Sequence, residues 1–139
     1  MPVSFSGSCL CGAVRFEATG TPRFQGFCHC PPCRKASSGH SAAITMEQTD
    51  VRIIGECASF TRYGDSGGRV VRHFCPVCGV GVFHSYPDAD VVLSLNAALL
   101  DQPDAFKPEI AIHTRSALPW DVIDPALPRC ETAPAAQQR

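Results

Sequence analysis

The sequence predicts a single small domain of mainly β structure, organised around cysteines that could ligate metal. Short segments with period-two alternation recur between Gly, Pro, Asp and Asn clusters, while helical periodicity is poor throughout. Seven of the nine cysteines also fall into three tight groups. A chain of 139 residues with 45 % hydrophobic side chains can bury one core, and twelve prolines with eleven glycines suit a loop-rich β domain.

The segment GAVRFEATG sets Val14, Phe16 and Ala18 on one side and Arg15 and Glu17 on the other, and it ends at Gly20. That is the pattern of a half-buried strand. Further strand signals lie at roughly 41–46, 51–54, 57–63, 69–74, 80–86, 90–95 and 110–114. One or two helical turns are predicted after Pro31 and another around residues 97–101. Past Asp124 the chain is rich in Pro, Ala and Gln, so residues 1–124 are expected to form the domain and 125–139 a flexible tail.

Twelve Lys and Arg against thirteen Asp and Glu leave a formal charge of −1, with the basic residues scattered. No nucleic-acid-tracking surface is indicated. No apolar stretch approaches the ~20 residues that span a bilayer, and the N-terminus lacks a signal-peptide pattern, so a soluble, cytoplasmic protein with no membrane partner is expected. In a reducing compartment an odd number of cysteines argues for metal ligation or redox chemistry rather than disulfides.

The groups are Cys9-x-Cys11, Cys28-x-Cys30-x-x-Cys33 and Cys75-x-x-Cys78, with Cys57 and Cys130 standing apart. FCPVCGVGVF reads as a zinc knuckle, in which a C-x-x-C turn aims two sulfurs at one ion and the following glycine relieves the backbone. SCLCGAVRF supplies a second pair, also followed by glycine. Together, Cys9, Cys11, Cys75 and Cys78 would make a closed structural site. A thioredoxin-like redox reading of C-x-x-C requires a βαβ context that the pattern does not supply.

This leaves Cys28, Cys30 and Cys33, three thiolates and no obvious fourth, the ligand count of zinc that keeps one position open. Other partitions remain, because the triplet could be completed by His29, His40, Cys57 or another side chain. His29, between two candidate ligands, is expected to point away from the ion they face. Three thiolates around Zn²⁺ give a net charge of −1, which suits thiol chemistry better than generating hydroxide. Arg34 and Lys35 beside the triplet are either a solvated pair or a grip on substrate charge.

Trp120 is expected to pack on the sheet, Cys57 to be a small buried hydrophobe, and Cys130 to be an unpaired thiol in the tail. Arg69 and Arg72 are placed by sequence near the four-cysteine site.

The successive motifs GSCLCGAVRF, CHCPPCRKASSG, RHFCPVCGVGVF and HTRSALPWDVID resemble those of the glutathione-dependent formaldehyde-activating family, which includes the centromere protein V branch. The likeness runs from about Gly7 to Asp124. It implies a tent-like β fold with two zinc ions per chain, a structural one on Cys9, Cys11, Cys75 and Cys78 and a catalytic or labile one on Cys28, Cys30 and Cys33. It further implies an S-(hydroxymethyl)glutathione synthase-like carbon–sulfur lyase with glutathione as substrate; Arg34 and Lys35, read from their place beside the triplet, are the expected substrate-binding residues. The expected partner is a small thiol–aldehyde adduct, on a monomer or homodimer. The alternatives are a non-catalytic zinc-stabilised binding module and a thiol redox or metal-buffering protein.

Overall fold

The computed structural model of the chain describes residues 2–89 and 91–134. Two sheets form it. The smaller has the order β1-β2-β5, from β1 (Val3–Ser8), β2 (Arg15–Gly20) and β5 (Val51–Ile54). The larger contains β3 (Phe24–Cys28), β4 (Ser41–Glu47), β6 (Ala58–Tyr63), β7 (Arg69–Phe74), β8 (Gly81–Ser85), β9 (Val92–Asn96) and β10 (Ile110–Ile112). Its order is β10-β3-β4-β9-β8-β7-β6, and only the β10–β3 pair is parallel. The predicted mainly β class is what the chain adopts.

The two sheets share one hydrophobic cluster. Phe5, Val14, Phe16 and Ala18 come from the small sheet and its hairpin, Ile44, Met46, Val82 and Leu95 from the large one. The alternation read in β2 holds: Phe16 is 0 % exposed, while Arg15 and Glu17 face solvent. Burying a ring of that size is worth about 2–3 kcal/mol.

Two strands that carry little sequence signal, β1 and β3, complete the sheets. In β1 only Phe5 advertises the buried face, because Gly7 lies against the Leu99 backbone and the Phe16 ring. In β3, Gly26 pairs with Ile110, and a Cβ there would collide with the Ile110 carbonyl. A glycine lets β10 approach, at the expense of a recognisable strand pattern.

The single α-helix among the described residues, α1 (Pro31–Ser37), links β3 to β4. Proline occupies its first turn, where no backbone donor is lost, and Cys30 is its N-cap residue. The chain turns out of α1 through Ser38 in the left-handed region, and the antiparallel register then sets Ser41 opposite Cys28.

Residues 125–134 belong to the stretch expected to be a flexible tail. Here they run beside β10: Ala111 N–H donates to Pro128 O, Cys130 N–H to Ala111 O, and His113 N–H to Thr132 O. The edge of a three-residue strand needs such partners. Residues 135–139 of that tail lie outside the described residues. Trp120 does not pack on the sheet as expected: it is 73 % exposed, because the loop carrying it turns Asp121 inward instead. No helix among the described residues is long and apolar enough to cross a membrane.

Candidate functional site

The β1–β2 connection carries Cys9 and Cys11, and the β7–β8 connection carries Cys75 and Cys78. The fold brings these four sulfurs within 4.8 Å of one another. Cys9 Sγ to Cys11 Sγ is 3.7 Å and Cys11 Sγ to Cys75 Sγ is 3.6 Å. With zinc–sulfur bonds of about 2.3 Å, a tetrahedron has edges of about 3.8 Å, so the four residues fit that ion.

Backbone N–H groups support the set, with Val14 N–H donating to Cys9 Sγ at 3.3 Å and Val77 N–H to Cys75 Sγ at 3.4 Å. Backbone hydrogen bonds at Val80 and Cys11 draw the Cys78 thiol down to about 6, which favours the thiolate. Gly12 and Gly79 follow the second cysteine of each pair at φ of 82° and 78°, a conformation L side chains resist. The cluster therefore joins a hairpin of the small sheet to a hairpin of the large one.

The triplet is assembled differently. Cys28 ends β3, Cys30 caps α1 and Cys33 lies in its first turns, buried. Their sulfurs also lie within 4.8 Å of one another, and no fourth His, Cys, Asp or Glu among the described residues joins this group. Ser41 Oγ donates to Cys33 Sγ at 3.2 Å and Arg72 Nη2 donates to it at 3.6 Å.

Hydrogen bonds from Cys28 and Cys30, then from Ser41 and Arg72, hold the Cys33 thiol far below its usual range. Cys28 is pushed far up by hydrogen bonding to Cys30 and Cys33, and then by burial. Of the three crowded thiols, Cys33 is the one whose surroundings favour the thiolate. A divalent cation would let all three ionise, so the donor set suits a thiophilic ion such as zinc.

Arg72 is the residue that sequence reasoning assigned to the wrong neighbourhood. It serves Cys33 rather than the four-cysteine cluster, while Arg69 pairs with Asp88 through Nη2 and Oδ1 at 2.9 Å. Arg72 Nη1 also donates to His84 Nε2 at 2.9 Å, its register partner across the β7–β8 hairpin. Burial, then the charge of Arg72, brings His84 down to about 4, so it is a neutral acceptor at neutral pH. Counting back from the knuckle could have paired these residues, but the register shift between His73 and Phe74 displaces the count by one.

Arg34 and Lys35 diverge. Arg34 Nη1 donates to the Ser116 carbonyl at 2.9 Å, and Lys35 is exposed on α1. His29 does turn away from the triplet's sulfurs: it is buried, beside Asp121 and His40. Cys57 is half-buried beside the core and its thiol is raised by that burial; Cys130 is half-buried along β10. His73 stacks on Phe83 and bonds Ser85 Oγ at 2.7 Å, an ordinary half-buried histidine.

A cleft of about 200 Å³ opens on the large sheet, bounded by the end of α1, the start of β4, and β7 to β9. Ser41, Arg72 and His84 line it, with Ser37, Phe83 and Asn96. The groups that touch Cys33 therefore also face a space for a small molecule.

A family model described as glutathione-dependent formaldehyde-activating enzyme matches residues 4–116. The fold is similar to the crystal structure of a Rhodobacter sphaeroides protein, a structural genomics target, with a TM-score of 0.57 at 18 % identity. That likeness covers 90 % of this chain and 98 % of the other.

Proposed function

The chain belongs to the glutathione-dependent formaldehyde-activating enzyme family, and on that premise we propose that the three-cysteine cluster is the reaction centre of a carbon–sulfur lyase. Its substrate would be the adduct of glutathione, or a similar small thiol, with formaldehyde or another small aldehyde. The observation that carries this reading is that Ser41 and Arg72, which among the described residues outside the triplet bond Cys33 Sγ, both line the 200 Å³ cleft.

Zinc held by Cys28, Cys30 and Cys33 would supply a Lewis-acidic position that keeps a sulfur ligand as thiolate, while three thiolate donors leave it a poor source of hydroxide. Everything else falls to the chain. In the lyase direction the carbon–sulfur bond breaks with its electron pair left on sulfur, and the hydroxyl proton passes to solvent water as the carbonyl forms.

Arg72 sets a permanent positive charge where that sulfur charge develops, and its second nitrogen is anchored by His84. Ser41 fixes the position of Cys33 Sγ and takes part of its charge. Lys35 is exposed next to the cleft residues Ala36 and Ser37, and we assign it to a substrate carboxylate. Arg34 is committed to the Ser116 carbonyl and braces α1.

Magnetisation-transfer NMR on a mixture of glutathione, formaldehyde and their adduct tests the proposal. Wild type is expected to accelerate interconversion above the buffer rate, and Cys28→Ser to lose the acceleration while retaining its fold. Interconversion at the buffer rate with zinc-replete wild type would overturn it.

A further inference from the structure

A third group of potential ligands belongs to neither cysteine cluster. His29 follows β3, His40 precedes β4 and Asp121 comes from the loop beyond β10, yet one ligand atom from each lies within 4.8 Å of the other two. The paths of three separate segments are needed to bring them together.

The His29 ring is 2 % exposed, and its Nδ1 is 3.2 Å from Asp121 Oδ2. The contact is close but misdirected: this buried nitrogen has no hydrogen-bond partner among the described residues. An unpaired buried polar atom is destabilising, so it calls for an explanation. His40 Nδ1 addresses the same carboxylate, at 2.8 Å from Oδ2 and 3.1 Å from Oδ1. The two imidazole rings are tilted by 46° with centroids 5.0 Å apart, so they approach from different directions.

The two nitrogen–oxygen spacings, 3.2 and 2.8 Å, are close to the edges of a coordination polyhedron. With donor–metal bonds of about 2.1 Å, adjacent corners are about 3.0 Å apart in an octahedron and about 3.4 Å in a tetrahedron. Neighbouring residues keep the place clear and rigid. A Cβ on Gly39 would come within 3.0 Å of Asp121 Oδ2, and Phe27 packs edge-on against the His40 ring at 5.0 Å.

We propose that His29, His40 and Asp121 form a metal site of nitrogen and oxygen donors, distinct from both cysteine clusters, that takes a divalent first-row transition ion of borderline softness. Two imidazoles and one carboxylate select such an ion over the thiophilic preference of the cysteine sites. The His40 side chain is 35 % exposed, which gives the ion a route from solvent and leaves coordination positions for water. The site does not depend on the lyase reading, and either can fail alone.

The test uses the full chain with its zinc retained. It is equilibrated with Co²⁺, desalted, and analysed for cobalt, zinc and visible absorption. Wild type is expected to keep about one equivalent of Co²⁺ with no loss of zinc, showing weak ligand-field bands without sulfur-to-cobalt charge transfer. His40→Ala, on the rim, and Asp121→Asn are each expected to lose that cobalt and keep their zinc. Wild type that retains no cobalt, or retains it only by displacing zinc with charge-transfer bands, overturns the proposal. Equal retention by either correctly folded variant overturns it too, leaving a hydrogen-bonding clamp. Should a variant fail to fold, the wild-type stoichiometry and spectrum decide the matter.

Discussion

Arg72 Nη2 lies 3.6 Å from Cys33 Sγ, although Arg72 stands on β7 and Cys33 on the helix that leads into β4, three strand positions away in the sheet. His84, on the neighbouring strand β8, holds the other terminal nitrogen of the guanidinium at 2.9 Å. Removing Arg72 takes away the positive charge bonded to Cys33 Sγ. Arg72→Met is expected to weaken metal retention by the triplet and adduct interconversion by about 10–100-fold, the usual cost of losing a partner that orients a metal ligand. Arg72→Lys should recover only part, since one ammonium cannot span Cys33 and His84 as a planar fork does. Competition with a chromogenic chelator, alongside the exchange assay, reads both effects.

The four-cysteine cluster should behave as structure. Cys75→Ser removes a ligand from a site that ties two hairpins, and the domain is expected to lose on the order of 5 kcal/mol or more, a sizeable share of what structural zinc contributes to folding. Cys28→Ser should cost far less, because its cluster lies within one strand–helix–strand unit already held by the Cys28–Ser41 register. Urea unfolding of zinc-loaded proteins separates the two cases.

His84 gives a sign to the pH dependence of stability. Its folded value is lowered from the ordinary histidine range to about 4, by burial and then by Arg72. Below about pH 6.5 the unfolded chain takes up a proton that the folded chain refuses, so stability falls as pH drops from about 6.5 towards 4 and then levels. The loss assigned to this residue is on the order of 3 kcal/mol. Comparing wild type with His84→Gln at each pH isolates it, because the variant should show a shallower decline; parallel curves would exclude His84 as the source.

Trp120 offers the opposite expectation. At 73 % exposure its ring contributes little burial, so Trp120→Ala is expected to change the unfolding free energy by less than about 0.5 kcal/mol. Thermal melts followed by circular dichroism check this without relying on the tryptophan that has been removed.

The sequence was most legible where one physical rule dominates. Alternation marked β2 because one of its faces is buried and the other is wet, and paired cysteines followed by glycine marked both knuckles because positive φ favours that residue. β1 and β3 escaped notice because Gly7 and Gly26 occupy inward positions where neighbouring backbone leaves no room for a side chain. Trp120 was misread because an amphipathic ring suggests packing, while the loop spends its inward position on Asp121. Arg72 was misplaced because its closeness to the knuckle in sequence conceals where the β7–β8 twist and bulge send its side chain. The grouping of His29, His40 and Asp121 depends on contacts over as many as 92 positions of chain, from 29 to 121, which no local pattern records.

The central claim is that the triplet Cys28, Cys30 and Cys33 holds its own zinc, separate from the ion of the four-cysteine cluster. Zinc per chain, measured by inductively coupled plasma mass spectrometry on wild type and Cys28→Ser purified without chelator, tests it most directly. A fall of about one equivalent in a variant whose fold and four-cysteine cluster remain intact is the predicted result. Zinc content unchanged by the substitution would contradict it.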